Sequence, residues 1–265
     1  MFIVHCSLFI EKCYLCAFKR RAMKFAIIAA GEGSRLQQEG VALPKPLVRV
    51  GGEAMIDRLI RIFRANGAEE IVVIINCIHP QTARHFAQLR ASGQAADIRL
   101  VEKTTPSSMH SFHELSPYLG DSPFCLTTVD TIFREDEFAA YIREFQAGVT
   151  EGSASPIDGC MAVTDYIDDE KPLYVGTDDH LCITGFHDTC HEGDRYISGG
   201  IYALRPVVLQ TLDRCMAEGR SRMRNFQRAL IEDGMRLRAC PFSKILDVDH
   251  AGDIAKAEKF LASNV

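Results

Sequence analysis

The sequence predicts an α/β protein: a doubly wound, mostly parallel sheet in the first half, with a β-rich extension after it. Three observations carry this reading. Up to about residue 150, apolar runs of strand length alternate with segments of helical spacing. Residues 71–75 read Ile-Val-Val-Ile-Ile without a polar break, as a strand buried on both faces requires. Beyond that point, short β-like pieces take over.

The first strand is expected over 25–29, and it runs into a turn, Gly31-Glu32-Gly33-Ser34-Arg35. Ile56, Leu59, Ile60 and Phe63 then recur at helical spacing, with Gly67 as a stop. Pro80 suits the first turn of the next helix. A short strand at 98–101, a helix over 108–119, a strand at 124–128 and an amphipathic helix over 136–145 follow. In the second half, strands are expected at 160–164, 174–175, 181–186 and 197–204. Helices near 206–217 and 224–233, a strand near 236–240, the segment 245–249 and a closing helix over 251–262 complete the order. Repeated β-α units predict right-handed crossovers.

No internal repeat or Ser/Pro/Gly linker divides the chain, so residues 23–265 are expected to form one domain. Residues 1–22 are expected to be an extension outside the fold, with Met23 the natural start. They are apolar and end in Lys19-Arg20-Arg21, the reverse of the order in a secretory signal. Glu11 and Lys12 interrupt the run, which is too short to span a bilayer.

A hydrophobic content of 47% in 265 residues is ample for a core. A net charge of −5 provides no global basic field, so no nucleic-acid partner is expected and phosphate must be met by local cations. The ten cysteines are scattered, and Cys13-x-x-Cys16 has no second pair to complete a zinc site. Reduced thiols, a cytoplasmic setting and no membrane partner are the expectation.

Such local cations stand close together in the sequence. Gly31 and Gly33 let backbone N–H groups approach a phosphate closely. Arg35, and ten residues later Lys45 between Pro44 and Pro46, bring two charges to the same strand end. A Walker loop would need four residues between its glycines, then Gly-Lys-Ser/Thr. A dinucleotide fingerprint would need a third Gly or Ala where Leu36 stands.

This string resembles the sugar-1-phosphate nucleotidyltransferases, or NDP-sugar pyrophosphorylases, of the MobA-like superfamily. That family carries Ala-Ala-Gly-x-Gly-Ser/Thr-Arg-Leu and then Pro/Ser-Lys-Pro. The matching residues are Ala29, Ala30, Gly31, Gly33, Ser34, Arg35, Leu36, Lys45 and Pro46. The resemblance implies a Rossmann-like nucleotidyltransferase fold whose β-rich extension binds the acceptor. It implies two partners, an NTP and a phosphorylated small molecule. The 29–35 segment would bind the nucleotide, Arg35 the leaving pyrophosphate, and Lys45 the region of the α-phosphate.

Mg²⁺ takes one or two carboxylates and fills its shell with phosphate oxygens and water. Asp130 closes an apolar strand, and Asp247 and Asp249 stand at another; in open parallel sheets ligands bind beyond such ends. An Asp just past a strand is equally a routine helix cap or turn residue. The resemblance implies that Asp130 and Asp249 hold Mg²⁺. Strand alternation is expected to point Asp247 the other way, and Asp253 is expected to cap the last helix. The segment 196–202 is similar to the family's Asn-x-Gly-Ile-Tyr strand, which implies acceptor contacts from Ser198 and Gly199, although Gly199-Gly200 reads equally as a bulge. Many members place Glu-Lys-Pro after Gly-Phe, and that lysine grips the sugar phosphate. Here Gly185-Phe186 is followed by His187-Asp188-Thr189, so Arg195 is expected to substitute. Ser107-Ser-Met-His-Ser111 is similar to the motif before the second helix in choline-phosphate relatives. The histidines are expected to form no metal cluster, with His110 and His113 on the surface of one helix. Two alternatives stay open: cytidylyl transfer to a non-sugar phosphate such as phosphocholine, and a non-catalytic nucleotide-binding homologue.

Overall fold

A computed structural model of the chain describes residues 23–149, 156–168 and 171–263. The expected extension over 1–22, with Cys13 and Cys16, lies outside the described residues. The chain opens with β1 (Met23–Ala29), the short helix α1 (Ser34–Gln38) and a two-stranded ladder, β2 (Arg49–Val50) with β3 (Glu53–Ala54). Then come α2 (Met55–Ala65), β4 (Ala68–Ile75), α3 (Pro80–Ala91), β5 (Ile98–Glu102), α4 (Ser108–Leu115) and β6 (Phe124–Thr128).

β1 is flanked by parallel β4 on one side and parallel β6 on the other, and β5 continues beyond β4. Strand order therefore reverses at β1. At such a switch point the carboxyl ends of neighbouring strands open a crevice. Both faces of β1 are covered, which is why its sequence has no polar alternation. Phe25 and Ile27 pack on one side with Phe63 of α2, the Phe25 and Phe63 ring centroids 4.7 Å apart. Ala26 and Ile28 pack on the other with Phe112 and Leu115 of α4.

The second half adds β7 (Thr131–Ile132), α5 (Glu135–Gly148), β8 (Gly159–Thr164), β9 (Tyr174–Thr177), β10 (Ile183–His187) and β11 (Tyr196–Leu204). It closes with α6 (Val208–Ala217), α7 (Met223–Glu232), β12 (Leu237–Phe242), β13 (Leu246–Asp247) and α8 (Ala251–Ala262). β11 runs antiparallel to β6, β8 and β9, and so joins the parallel half to the extension. The result is a mixed nine-stranded sheet among the described residues. The register of β11 against β8 shifts between Ser198 and Tyr202, the bulge that Gly199-Gly200 allowed for. Gly200 has φ 73°, and a Cβ on Gly199 would strike the Ile245 side chain.

The helix expected over 108–119 ends at Leu115 and gives way to a 3₁₀ turn, Ser116–Tyr118. Pro117 supplies no N–H to continue it, and the Ser116 hydroxyl donates to the His113 carbonyl instead, at 2.8 Å. The segment 245–249 forms a strand only at Leu246–Asp247, where β7 offers a short partner. No helix among the described residues is long and apolar enough to cross a membrane.

Candidate active site

Past the end of β1 the chain turns at Gly33, which has φ 65° and stands at the N-terminus of α1. A Cβ here would lie 3.0 Å from the Cβ of Lys45, so glycine serves both the left-handed backbone and the close approach of Lys45. Pro44 and Pro46 hold Lys45 in a 3₁₀ turn, Lys45–Leu47. The loop is tied to the sheet by Asn76 at the end of β4, whose amide donates to the Ala30 carbonyl at 2.9 Å. Thr104 in turn donates to the Asn76 side-chain oxygen at 2.7 Å.

Lys45 Nζ stands between two carboxylates, 2.5 Å from Asp130 Oδ2 and 2.6 Å from Asp249 Oδ1. Arg35 Nη1 takes the other oxygen of Asp249 at 2.9 Å. The acids come from distant parts of the chain and are brought together by the β7–β13 pairing, where the Val248 N–H donates to the Asp130 carbonyl at 3.1 Å. Asp253 caps α8 and accepts the backbone N–H groups of Asp249 and His250 at 3.2 and 2.9 Å, which fixes the end that carries Asp249. Burial works against the charge on Lys45, but Asp130 and Asp249 outweigh it and hold the ammonium above the ordinary lysine range. Burial likewise works against ionised Asp249, and Lys45 with Arg35 more than offsets it, so the carboxyl lies below its usual value. Asp130 Oδ1 is buried and has no hydrogen-bond partner among the described residues.

Two cavities meet at this centre. One of about 520 Å³ is bordered by the glycine loop, Lys45, Asp130 and the start of α4. The other, of about 590 Å³, lies against β11, α7 and the start of α8. Arg35 and Asp249 line both, so they form the wall between the two.

The model of the MobA-like NTP transferase domain matches residues 25–175, more than half of the chain. The chain belongs to this family. Among curated relatives, a bifunctional IPC transferase and DIPP synthase of Rubrobacter xylanophilus is 37% identical over 84 residues, 31% of this chain and 18% of that protein. A mannose-1-phosphate guanyltransferase of Yarrowia lipolytica is 26% identical over 200 residues, 72% of this chain and 52% of that protein. The chain thus spans about half or less of the length of these relatives. The solved inositol-1-phosphate CTP transferase from T. maritima shares the fold, with a TM-score of 0.70 at 18% identity, over 92% of this chain and 98% of that one.

In this family member Ala30, Gly31, Gly33, Ser34, Arg35, Lys45, Asp130 and Asp249 all border the first cavity, Asp249 from beyond the matched residues. Ala29 does not: it is the last residue of β1 and is buried in the core opposite Ile75. Ser198 and Gly199 border the second cavity. Arg195 does not; it precedes β11, its side chain is 70% exposed, and it reaches Asp165 at 3.7 Å. Arg224, Lys171 and Lys256 supply cations to that cavity instead. Asp247 does not turn away either: residues two apart on a strand would share a face, and here the strand ends at Asp247, before Asp249. It opens onto the second cavity, and the crowding of protein atoms with the charges of Asp130 and Asp249 pushes its carboxyl up. His187, His191 and Asp194, which sequence reasoning did not group, come together in the fold, with one donor atom of each within 4.8 Å of the others. Sequence reasoning missed Asn76, Arg224 and Thr105, which borders the first cavity and shares a hydroxyl hydrogen bond with Ser111 at 2.6 Å. For Asn76 the signal was present, as a polar residue directly after the unbroken apolar run 71–75. The Ser107–Ser111 segment, similar to that of choline-phosphate relatives, borders the first cavity opposite the glycine loop, with Ser107 bonded to His110 Nδ1 at 2.8 Å.

Proposed function

We propose that this chain joins an NTP to a sugar 1-phosphate, giving an NDP-sugar and pyrophosphate. The observation that carries the reading is the shared wall: two cavities meet where Arg35, Lys45, Asp130 and Asp249 converge. A reaction between two phosphorylated molecules needs such a meeting point, with the α-phosphate at the junction. The NTP would occupy the cavity of the glycine loop, its triphosphate on the N–H groups of Gly31 to Arg35. The acceptor would occupy the other, against Ser198, Gly199 and Arg224.

The acceptor phosphate oxygen attacks the α-phosphorus, and the bond to the oxygen bridging the β-phosphate breaks. That oxygen leaves as part of pyrophosphate. The nucleophile is already anionic, so no residue has to deprotonate it and no covalent enzyme intermediate forms. Catalysis is positioning and charge stabilisation. Lys45, held protonated by its two acids, supplies charge at the α-phosphate. Arg35 exchanges Asp249 for the outgoing phosphates.

Mg²⁺ fits the residues present. The unpartnered, buried Asp130 Oδ1 is a hard oxygen with an unfilled position beside Asp249. Asp130 and Asp249 would hold the ion, which would neutralise charge on the triphosphate.

A second reading has an observation in its favour. Asp168, Asp247 and Asp253 border the acceptor cavity, and no lysine follows Phe186. These acids suit an acceptor with a cationic head, such as phosphocholine. Pyrophosphate release from each of the four NTPs against a panel of phosphorylated acceptors tests both readings. A sugar 1-phosphate is expected to give the highest kcat/KM. Release with phosphocholine alone would transfer the proposal to that acceptor. NTP binding without pyrophosphate release from any pair would leave a non-catalytic homologue.

A further inference from the structure

We propose that His187, His191 and Asp194 form a site for a divalent transition metal ion of zinc-like preference, in the β-rich extension and apart from the phosphate centre. One donor atom from each residue lies within 4.8 Å of the other two, the only such grouping among the described residues. The two imidazole ring centroids are 4.0 Å apart. Two imidazoles and a carboxylate are a borderline-soft set that suits zinc, cobalt or nickel, and the all-oxygen preference of magnesium makes it a poor occupant. A tetrahedral ion with bonds of about 2.0–2.2 Å holds its donors about 3.4 Å apart. Side-chain rotation of the order of 1 Å closes this group onto such an ion, and water completes the shell.

The backbone is shaped for this convergence. His187 ends β10, and two residues earlier Gly185 pairs across the ladder with Gly176 of β9. The His187 ring lies in the niche these glycines leave. A Cβ on Gly185 would come within 2.9 Å of ring atom Cε1. A Cβ on Gly176 would come within 3.2 Å of His187 Nε2 and 3.4 Å of Asp194 Oδ1, so the two donors share one niche. The third ligand is brought in by a closed turn. Asp194 Oδ2 accepts the His191 N–H at 2.9 Å, and the Asp194 N–H donates to the His191 carbonyl at 3.1 Å. His191 is exposed, which leaves an entry path for the ion.

The ion would clip the end of β10 to the 191–194 turn. Asp188, next to His187, receives Arg224 and Arg228 of α7 at 2.6 and 2.7 Å, and Arg224 borders the acceptor cavity. The clip therefore lies one residue from the carboxylate that anchors an acceptor-side cation.

The test uses the untagged full chain, stripped by chelator and titrated with Co²⁺ and then Zn²⁺ in excess Mg²⁺. The thiols elsewhere in the chain can also take these metals, so the measured quantity is the difference between wild type and His191→Ala. Wild type is expected to bind one equivalent more than His191→Ala, with Co²⁺ absorption bands of a low-coordinate nitrogen and oxygen site, and to gain Tm with Zn²⁺. His191→Ala is expected to bind at this site about 100-fold more weakly, as loss of a contact in a metal centre does. It should keep the metal-free Tm, since the side chain is exposed. His187→Gln serves as an independent second variant. Equal stoichiometry and affinity in wild type and both variants would overturn the proposal, as would a Zn²⁺-induced Tm gain that survives His191→Ala.

Discussion

Lys45 is where several demands meet on one side chain. In the proposed reaction it must be charged, it must be close to the glycine loop, and it must exchange its two carboxylates for phosphates. The absence of a Cβ on Gly33 provides the closeness, and Asp130 with Asp249 the charge. Lys45→Ala is expected to lower kcat by roughly 10²–10³-fold, the usual loss of one charge-stabilising donor. Turnover at the wild-type rate would remove Lys45 from the mechanism. Asp130 borders the first cavity, Asp247 the second and Asp249 both. Asp130→Asn and Asp249→Asn are expected to lose about 10²-fold in kcat/KM and to need more Mg²⁺. Asp247→Asn is expected to change the acceptor KM with little change in Mg²⁺ dependence, because Asp247 borders only the acceptor cavity. Activity against Mg²⁺ and acceptor concentration for the three variants separates these outcomes. A metal requirement altered by Asp247→Asn alone would place the ion on the wrong acid.

Among the elements, α2 and β5 show how a surface pair holds the parallel half together. Arg64 in the last turn of α2 binds both oxygens of Asp97, at 2.7 and 2.6 Å, just before β5 begins. The guanidinium's hydrogen bonds, aided by its charge, hold the Asp97 carboxyl below the ordinary range. A carboxyl depressed in the folded state stabilises it above the unfolded pKa, near 4, and loses that contribution as pH falls through the folded value. Asp97→Asn is therefore expected to cost about 0.5–1 kcal/mol at pH 7, the upper part of the range for exposed pairs. The gap between wild type and variant should narrow as the pH falls below about 4 and close at pH values below the depressed folded-state pKa. Urea unfolding of both proteins across that interval measures it. A gap that is constant from pH 7 to 3 would assign the cost to packing instead.

At the scale of the whole molecule, the described fold begins at Met23. β1 begins there, with Met23 buried and its strand central in the sheet. A protein starting at Met23 is expected to be soluble and to keep the kcat and Tm of the full chain. Misfolding of the shorter protein would make residues 1–22 part of the structure.

Much of this molecule was legible from the order of residues alone. Local periodicity exposed the parallel half, because a strand covered on both faces must be apolar throughout, as 25–29 and 71–75 are. The glycine-arginine loop, the proline-held Lys45 and Asp130 were legible because backbone freedom and strand ends are local properties. What sequence could not supply was which side chains meet across the chain. Arg195 looked like the acceptor cation by proximity to its strand, but the fold turns it outwards and puts Arg224 from α7 in the cavity. Ala29 matched a motif yet went to the core, since the last residue of a central strand has neighbours on both sides. The pairing of β7 with β13 set Asp249 beside Asp130, and the ladder of β9 with β10, together with the 191–194 turn after it, gathered His187, His191 and Asp194. Local rules determine the elements, whereas sheet register, which is set by burial over the whole molecule, decides which charged groups become neighbours.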